Sequence, residues 1–190
     1  MNLLNKEISI IKKIKNSFIY FTDLDRGFEL LLDCLLYLEL FYNDLSLVFF
    51  KNHQLTDSMK LKLNKFKTTK IKQYGFVNQD IIFNELTFSE YFFYPLLSHE
   101  TFCCCAIEAI LFKNVCIYNN KGALSDTIGK NGLQINYDIK NNNYIQKTCL
   151  DIIQLMNDEK LKKTYIQNAL QHIQNKFNDT KIKTKWKQII

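Results

Sequence analysis

The sequence predicts an α/β fold: a doubly wound parallel sheet with helices on both faces. Three observations carry that expectation. Short apolar runs of strand length alternate along the chain with stretches of helical periodicity. The runs are unbroken rather than alternating polar and apolar, which is the pattern of strands covered on both sides. At 190 residues with 47% hydrophobic content, one Pro and five Gly, the chain has the material for one domain with a real core, since a domain of this size buries roughly 70% of its unfolded surface. Right-handed crossovers between parallel strands then distribute the helices over the two faces.

Each element follows from its residues. Ser17-Phe-Ile-Tyr-Phe-Thr22 reads as a first buried strand, and Arg26-Gly27 opens a helix whose apolar positions Phe28, Leu31, Leu32, Leu35 and Leu36 recur at helical spacing. Leu45 to Phe50 is a second strand after the Asn43-Asp44 turn signal, followed by a short helix over Met59 to Phe66. Ile71 to Tyr74 is a third strand ended by Gly75, and Gln79 to Leu86 has helical character. Tyr91-Phe-Phe-Tyr94 is a fourth strand, Phe102 to Phe112 a helix, and Val115 to Tyr118 a fifth strand. One helical turn over Asp126 to Gly129, a short last strand over Gly132 to Ile135, and two helices over Tyr144 to Asn157 and Glu159 to Phe177 complete the domain. The expected organisation is a domain over residues 1–178 and a basic tail helix over residues 179–190.

The most informative stretch is Tyr94-Pro-Leu-Leu-Ser-His-Glu-Thr-Phe-Cys-Cys-Cys-Ala-Ile-Glu108, in which Glu100 and Glu108 bracket seven residues at the junction of a strand and a helix. A helix start presents unpaired N–H groups and the positive end of the helix dipole, which suits phosphate. The two carboxylates are acceptors about two helical turns apart, so each can take hydroxyl groups on one side of a bound diphosphate. In open parallel sheets a ligand sits beyond the carboxyl ends of the strands, where these residues fall.

Glu100, seven residues, Glu108, the following Ala109-Ile-Leu and the later Lys121-Gly-Ala-Leu-Ser-Asp126 resemble the donor-binding signature of group 1 retaining glycosyltransferases of the GT-B fold. The likeness is greatest to members that read Tyr-Pro, a short loop and Glu-Thr-Phe-Cys before the second Glu, and nearly the whole chain follows the pattern in order. The resemblance implies a Rossmann-like half-domain that binds a nucleoside-diphosphate sugar and transfers the sugar with retention, using no cofactor beyond that substrate. It implies that Arg26 contacts the donor diphosphate, with Gly27 and Thr22 also donor-binding, while Tyr20 and Thr22 stand where many relatives carry a second basic residue. Glu108 would accept hydrogen bonds from the ribose, and Glu100 would face the transferred sugar; Glu100 and Arg26 are thus the implied catalytic pair. Thr101, Phe102, Cys103 and Cys104 would present backbone amides to the diphosphate and sugar, and Gly122, Ala123 and Leu124 would form the other wall of the pocket. The usual Gly-x-Pro before the fifth strand is replaced by Lys113-Asn114-Val115.

Taken without the resemblance, the same residues have plainer roles. Arg26 is an exposed loop Arg, Glu108 a surface helix Glu, Glu100 a carboxylate satisfying helix-start N–H groups, and His99 an exposed loop residue. Asp23-Leu-Asp25 has a metal-binding spacing but lies in the loop where the resemblance implies phosphate contacts from a cation, so no metal site is predicted and the mechanism is expected to be metal-independent. The six Cys form no C-x2-C pair, and the consecutive Cys103, Cys104 and Cys105 point in different directions, which favours packing roles in a reducing cytosol.

The formal charge of +6 is spread over the chain without a nucleic-acid-binding motif, so solvated helix faces account for it and no nucleic-acid partner is expected. The stretch Lys181 to Ile190 mixes basic and apolar residues with a Trp, which fits either a weak peripheral membrane contact or a helix docked on the domain. With no signal peptide and no apolar membrane span in the sequence, a cytoplasmic location is expected. Three functions remain open. The chain is a donor domain that works with an acceptor-binding domain or chain, a non-catalytic or degenerate nucleotide-sugar-binding module, or an interaction protein that keeps the fold.

Overall fold

The structure, a computed structural model, describes residues 12–51, 53–135 and 143–177; the expected basic tail helix lies outside them. Six parallel strands form one sheet: β1 (Ser17–Tyr20), β2 (Ser46–Phe50), β3 (Lys70–Tyr74), β4 (Tyr91–Tyr94), β5 (Val115–Asn119) and β6 (Leu133–Ile135), in the order β3-β2-β1-β4-β5-β6. Pairing is in simple parallel register, with Tyr20 opposite Phe49 and Tyr94 opposite Tyr118. The order reverses direction between β1 and β4, the position at which open parallel sheets receive ligands.

The helices are α1 (Phe28–Leu38), α2 (Asp57–Leu63), α3 (Gln79–Phe88), α4 (Cys104–Leu111), α5 (Leu124–Ile128), α6 (Tyr144–Asn157) and α7 (Glu159–Lys176). All residues of β1, β4 and β5 are buried, as unbroken apolar runs require of central strands. Aromatic rings fill this core: Phe18 stacks on Tyr91 at 5.0 Å, and Tyr20, Phe28 and Phe49 form a tilted chain with centroid separations of 5.1 and 4.7 Å. Helix α6 packs on α1, where Cys149 Sγ approaches the Cys34 carbonyl at 3.4 Å, and α7 covers α4 and α5.

Some boundaries differ from expectation, each for a local reason. The strand β3 is exposed along most of its length, because it is an edge strand and its Lys70 and Lys72 face water. Helix α2 begins at Asp57 rather than Met59, since the Thr56 hydroxyl accepts the Met59 N–H at 3.1 Å and caps the first turn. Strand β1 stops at Tyr20, and the chain continues through a 3-10 turn, Leu24–Arg26, in which the Tyr20 hydroxyl donates to the Asp23 carbonyl at 2.7 Å. Helix α4 starts at Cys104, two residues later than expected, leaving Thr101 and Phe102 in the preceding loop. Helix α5 starts earlier, at Leu124.

Candidate functional site

The loops after β1, β4 and β5 are locked together by two glycines. Gly27 has φ +118, and a Cβ there would lie 2.1 Å from the Pro95 carbonyl oxygen, so the β1 loop rests on the chain leaving β4 only because no side chain intervenes. Gly122, at φ +56 after β5, presses on the same loop from the other side, where a Cβ would lie 2.1 Å from the Glu100 carbonyl oxygen. The Ala123 N–H donates to that carbonyl at 2.7 Å, and the Asn119 side-chain amide donates to the Leu96 carbonyl at 3.0 Å. The segment from Pro95 to Glu100 is thus fixed from β1 and from β5.

This clamp sets the Glu100 side chain, which is buried, into a cluster. One carboxylate oxygen accepts from the Arg26 guanidinium at 3.1 Å and from the Tyr94 hydroxyl at 3.1 Å, and the other accepts from the Thr101 N–H at 3.1 Å. Arg26 also lies 3.4 Å from an Asp23 carboxylate oxygen through its Nε. The Tyr94 hydroxyl is pushed above its ordinary pKa by burial first, and the Arg26 guanidinium is raised, chiefly by its hydrogen bond with Tyr94, so at neutral pH the tyrosine is neutral and the arginine charged.

The cluster opens onto a cavity of about 480 Å³, a volume within the usual range for small-molecule sites. Phe21, Thr22, Asp23 and Arg26 form its β1 side, while Tyr94, Glu100, Phe102 and the three cysteines Cys103 to Cys105 form its β4 and α4 side. Its outer side comes from the ends of β2 and β3, with Phe50, Lys51, Gly75, Phe76 and Val77, and from Ile82 of α3. Phe102 is half exposed and packs edge-on against Phe177 at 5.6 Å. Phe76 is 96% exposed, an aromatic ring held in water beside the cavity.

The structure therefore brings together Arg26, Thr22, Glu100, Phe102, Cys103 and Cys104 of the expected residues. Gly27 is behind the wall rather than in it, because it is spent on the contact with Pro95. Thr101 does not line the cavity, and its amide is taken by the Glu100 carboxylate. Gly122, Ala123 and Leu124 do not form a wall of this cavity either: Gly122 and Ala123 buttress Glu100 from the rear, and the Leu124 side chain is buried in the core. Glu108 sits one turn beyond Cys104 and Cys105 on the same helix face and accepts from the Gln79 side-chain amide at 2.9 Å. It is outside the cavity lining, and burial raises its pKa.

The thiol of Cys103, N-terminal to α4, is pushed up to about 12 by burial, and that of Cys105 is raised by burial as well, so neither is a ready nucleophile. The start of α4, at Cys103 to Cys105, lies on the cavity, and the first amides of a helix have no acceptor within it, an arrangement suited to an anion. Among the described residues no group of three or more His, Cys, Asp or Glu side chains is arranged to hold a metal ion, and no helix is long and apolar enough to cross a membrane.

Sequence reasoning missed Lys51, Phe76 and the Tyr94 hydroxyl. The signal for the first two was available, since both follow the carboxyl end of a predicted strand.

No protein-family model matches the sequence, and no curated protein aligns with it significantly. Solved structures do resemble the fold. A TarM mutant from S. aureus, in complex with fondaparinux, alpha-GlcNAc-glycerol and UDP, matches at TM-score 0.74 and 17% identity over 94% of this chain and 36% of its own. The pneumococcal O-GlcNAc transferase GtfA in complex with UDP and GlcNAc matches at 0.74 and 18%, over 94% of this chain and again 36% of its own. This chain thus spans about a third of the length of those enzymes. The C-terminal domain of the glycosyl transferase group 1 family protein LpcC from Francisella tularensis matches at 0.67 and 18% over 89% of both chains. The chain is therefore folded like the C-terminal domain of a group 1 glycosyltransferase, one half of the GT-B architecture.

Proposed function

We propose that this chain is the donor-binding domain of a retaining, metal-independent glycosyltransferase, which takes a nucleoside-diphosphate sugar and acts with an acceptor-binding domain or a second chain. The observation that carries the reading is the convergence of Arg26, Glu100 and the start of α4 on one cavity at the strand-order reversal. The UDP complexes of TarM and GtfA support a nucleotide donor, and a structure described as a GtfA/B complex, similar over 95% of this chain, supports a partner chain.

In this reading the diphosphate lies against the amides that open α4, the ribose extends past the cavity so that its hydroxyls reach Glu108 beside or in place of the Gln79 amide, and the sugar lies toward Glu100. Arg26 stabilises the charge that grows on the leaving diphosphate, because a fixed cation is worth most where charge develops. Closure against an acceptor domain would exclude water and position the attacking hydroxyl. A non-catalytic nucleotide-sugar-binding module is the second reading, favoured by one observation: Arg26 is held between Asp23 and Glu100, which offsets the charge it can lend to a leaving group.

Calorimetric titration with UDP, GDP and their sugars tests both readings. Saturable binding that weakens about tenfold or more in Glu108→Ala, by loss of a charge-assisted hydrogen bond worth about 1.5–3 kcal/mol, is the expected result, and Arg26→Ala is expected to weaken it as well, because Asp23 and Glu100 then face the diphosphate without their counter-charge. Absence of saturable binding to any of them would remove the ligand-based readings and leave an interaction protein.

A further inference from the structure

The charges around the cavity do not suit an anion as they stand. Four ionised side chains line it, Asp23, Arg26, Lys51 and Glu100. Arg26 is engaged by Asp23 at 3.4 Å and by Glu100 at 3.1 Å, two carboxylates on one guanidinium. A diphosphate approaching Arg26 therefore meets two like charges together with one opposite charge, and the arginine alone gives little net attraction. Lys51 is different. Among the described residues its ammonium makes no ion pair or hydrogen bond, although it stands on the same cavity.

The backbone holds Lys51 in place for this purpose. The Lys51 N–H donates to the Tyr74 carbonyl at 3.0 Å, and the Phe50 and Tyr74 rings stack at 5.0 Å with an interplanar angle of 8°. Extending the register that pairs Tyr20 with Phe49 puts Lys51 level with Thr22, on the neighbouring strand end. Its four-carbon stem carries a compact charge that can be placed without disturbing either strand.

We propose that Lys51 is the phosphate-binding side chain of this cavity: standing just after β2, it offsets the excess of carboxylate that Asp23 and Glu100 leave around Arg26, and its ammonium sets the preference for a diphosphate over an uncharged nucleoside. This inference rests on the nucleotide-sugar reading given above and adds to it the residue on which the ligand's charge is read. Lys51 contacts the donor and needs no proton transfer, so the role is one of binding and specificity.

The test titrates UDP, UMP and uridine into the wild-type chain and into Lys51→Met, Lys51→Arg and Lys65→Met, the last removing an exposed lysine away from the cavity. Lys51→Met is expected to weaken UDP about tenfold or more while uridine affinity stays within twofold, so that the spread between UDP and uridine contracts. Lys51→Arg is expected to recover most of the loss, Lys65→Met to change nothing, and added salt to weaken UDP less in Lys51→Met than in wild type. UDP binding to Lys51→Met within twofold of wild type would overturn the role of Lys51 and leave the nucleotide reading intact. An equal loss for UDP and uridine would also overturn it, by showing a damaged site in place of a missing charge. If the wild-type chain binds neither UDP nor uridine, the nucleotide reading fails first and the role of Lys51 falls with it.

Discussion

Replacing Gly122 with Ala adds one methyl group, and the structure says where it goes. At φ +56 the alanine backbone occupies the left-handed region, at a cost of about 1–2 kcal/mol. Its Cβ would lie 2.1 Å from the Glu100 carbonyl oxygen and 2.6 Å from the Glu100 nitrogen, both backbone atoms that cannot rotate away. Displacing that segment adds about 1–3 kcal/mol of overpacking, and it strains the 2.7 Å bond from the Ala123 N–H. A loss of about 2–5 kcal/mol follows, a large share of the about 5–15 kcal/mol that holds a typical domain. With a urea m-value of about 2 kcal/mol/M, the unfolding midpoint falls by about 1–2.5 M at unchanged m. Gly75→Ala is the matched comparison: nothing lies within 4 Å of its Cβ position, so the substitution is neutral or stabilising by up to about 1 kcal/mol. A Gly122→Ala midpoint close to wild type, or a Gly75→Ala loss of similar size, would refute the clamp on the Glu100 loop.

Two further outcomes follow from the titratable groups on α4. Burial raises the Glu108 pKa above 4.5, so the folded state binds a proton more tightly than the unfolded chain there. Stability then falls as pH rises through the window just above that value, and urea unfolding from pH 4.5 to 7 should show this fall in wild type and lose it in Glu108→Gln; an identical pH profile in both would contradict it. Among the cysteines, Cys104 is exposed on the cavity, Cys105 is partly covered, and Cys34, Cys103, Cys116 and Cys149 are buried. Native-state alkylation followed by mass spectrometry should therefore label Cys104 first, and UDP should slow that labelling; uniform labelling of the three consecutive cysteines would be the contrary result.

How far the sequence reveals this molecule depends on whether a feature is local. The central strands were legible because Tyr91-Phe-Phe-Tyr94 and Ser17-Phe-Ile-Tyr20 can only be covered on both faces, and that need is written in consecutive residues. The edge position of β3 was not legible, because an exposed strand and a short central one have similar composition and only the strand order distinguishes them. In the site, the spacing of Glu100 and Glu108 correctly pointed to the strand-to-helix junction. It could not show that the two carboxylates have different partners, Arg26 with Tyr94 for one and Gln79 for the other, since those contacts span 74, 6 and 29 positions. Gly122 was expected on the pocket wall as a turn residue. Its contact with the Glu100 backbone is a meeting of two loops, which no local pattern encodes.

The two sides of the cavity are built on different physical terms, and this bears on how a ligand would be received. The rear side, from Tyr94 through Glu100 to α4, is held by backbone contacts at Gly27 and Gly122 and by hydrogen bonds from Asn119 and Ala123, so its polar groups keep their places before anything binds. Such fixed dipoles are the kind that act on developing charge without a cost of rearrangement. The outer side ends in Lys51 and Phe76, a long stem without an ionic partner among the described residues and a ring 96% exposed to water. Phe76 can move with little loss of packing, because little packs against it, whereas the Lys51 stem is partly covered. An anion would be met by a fixed rear wall and by a cation that has no ionic partner among the described residues. Binding energy gained at Lys51 then costs side-chain entropy but leaves the Arg26–Glu100 arrangement undisturbed. Removal of Lys51 should accordingly change how tightly a charged ligand is held, whereas loss of Gly122 should change whether the wall that receives it exists at all.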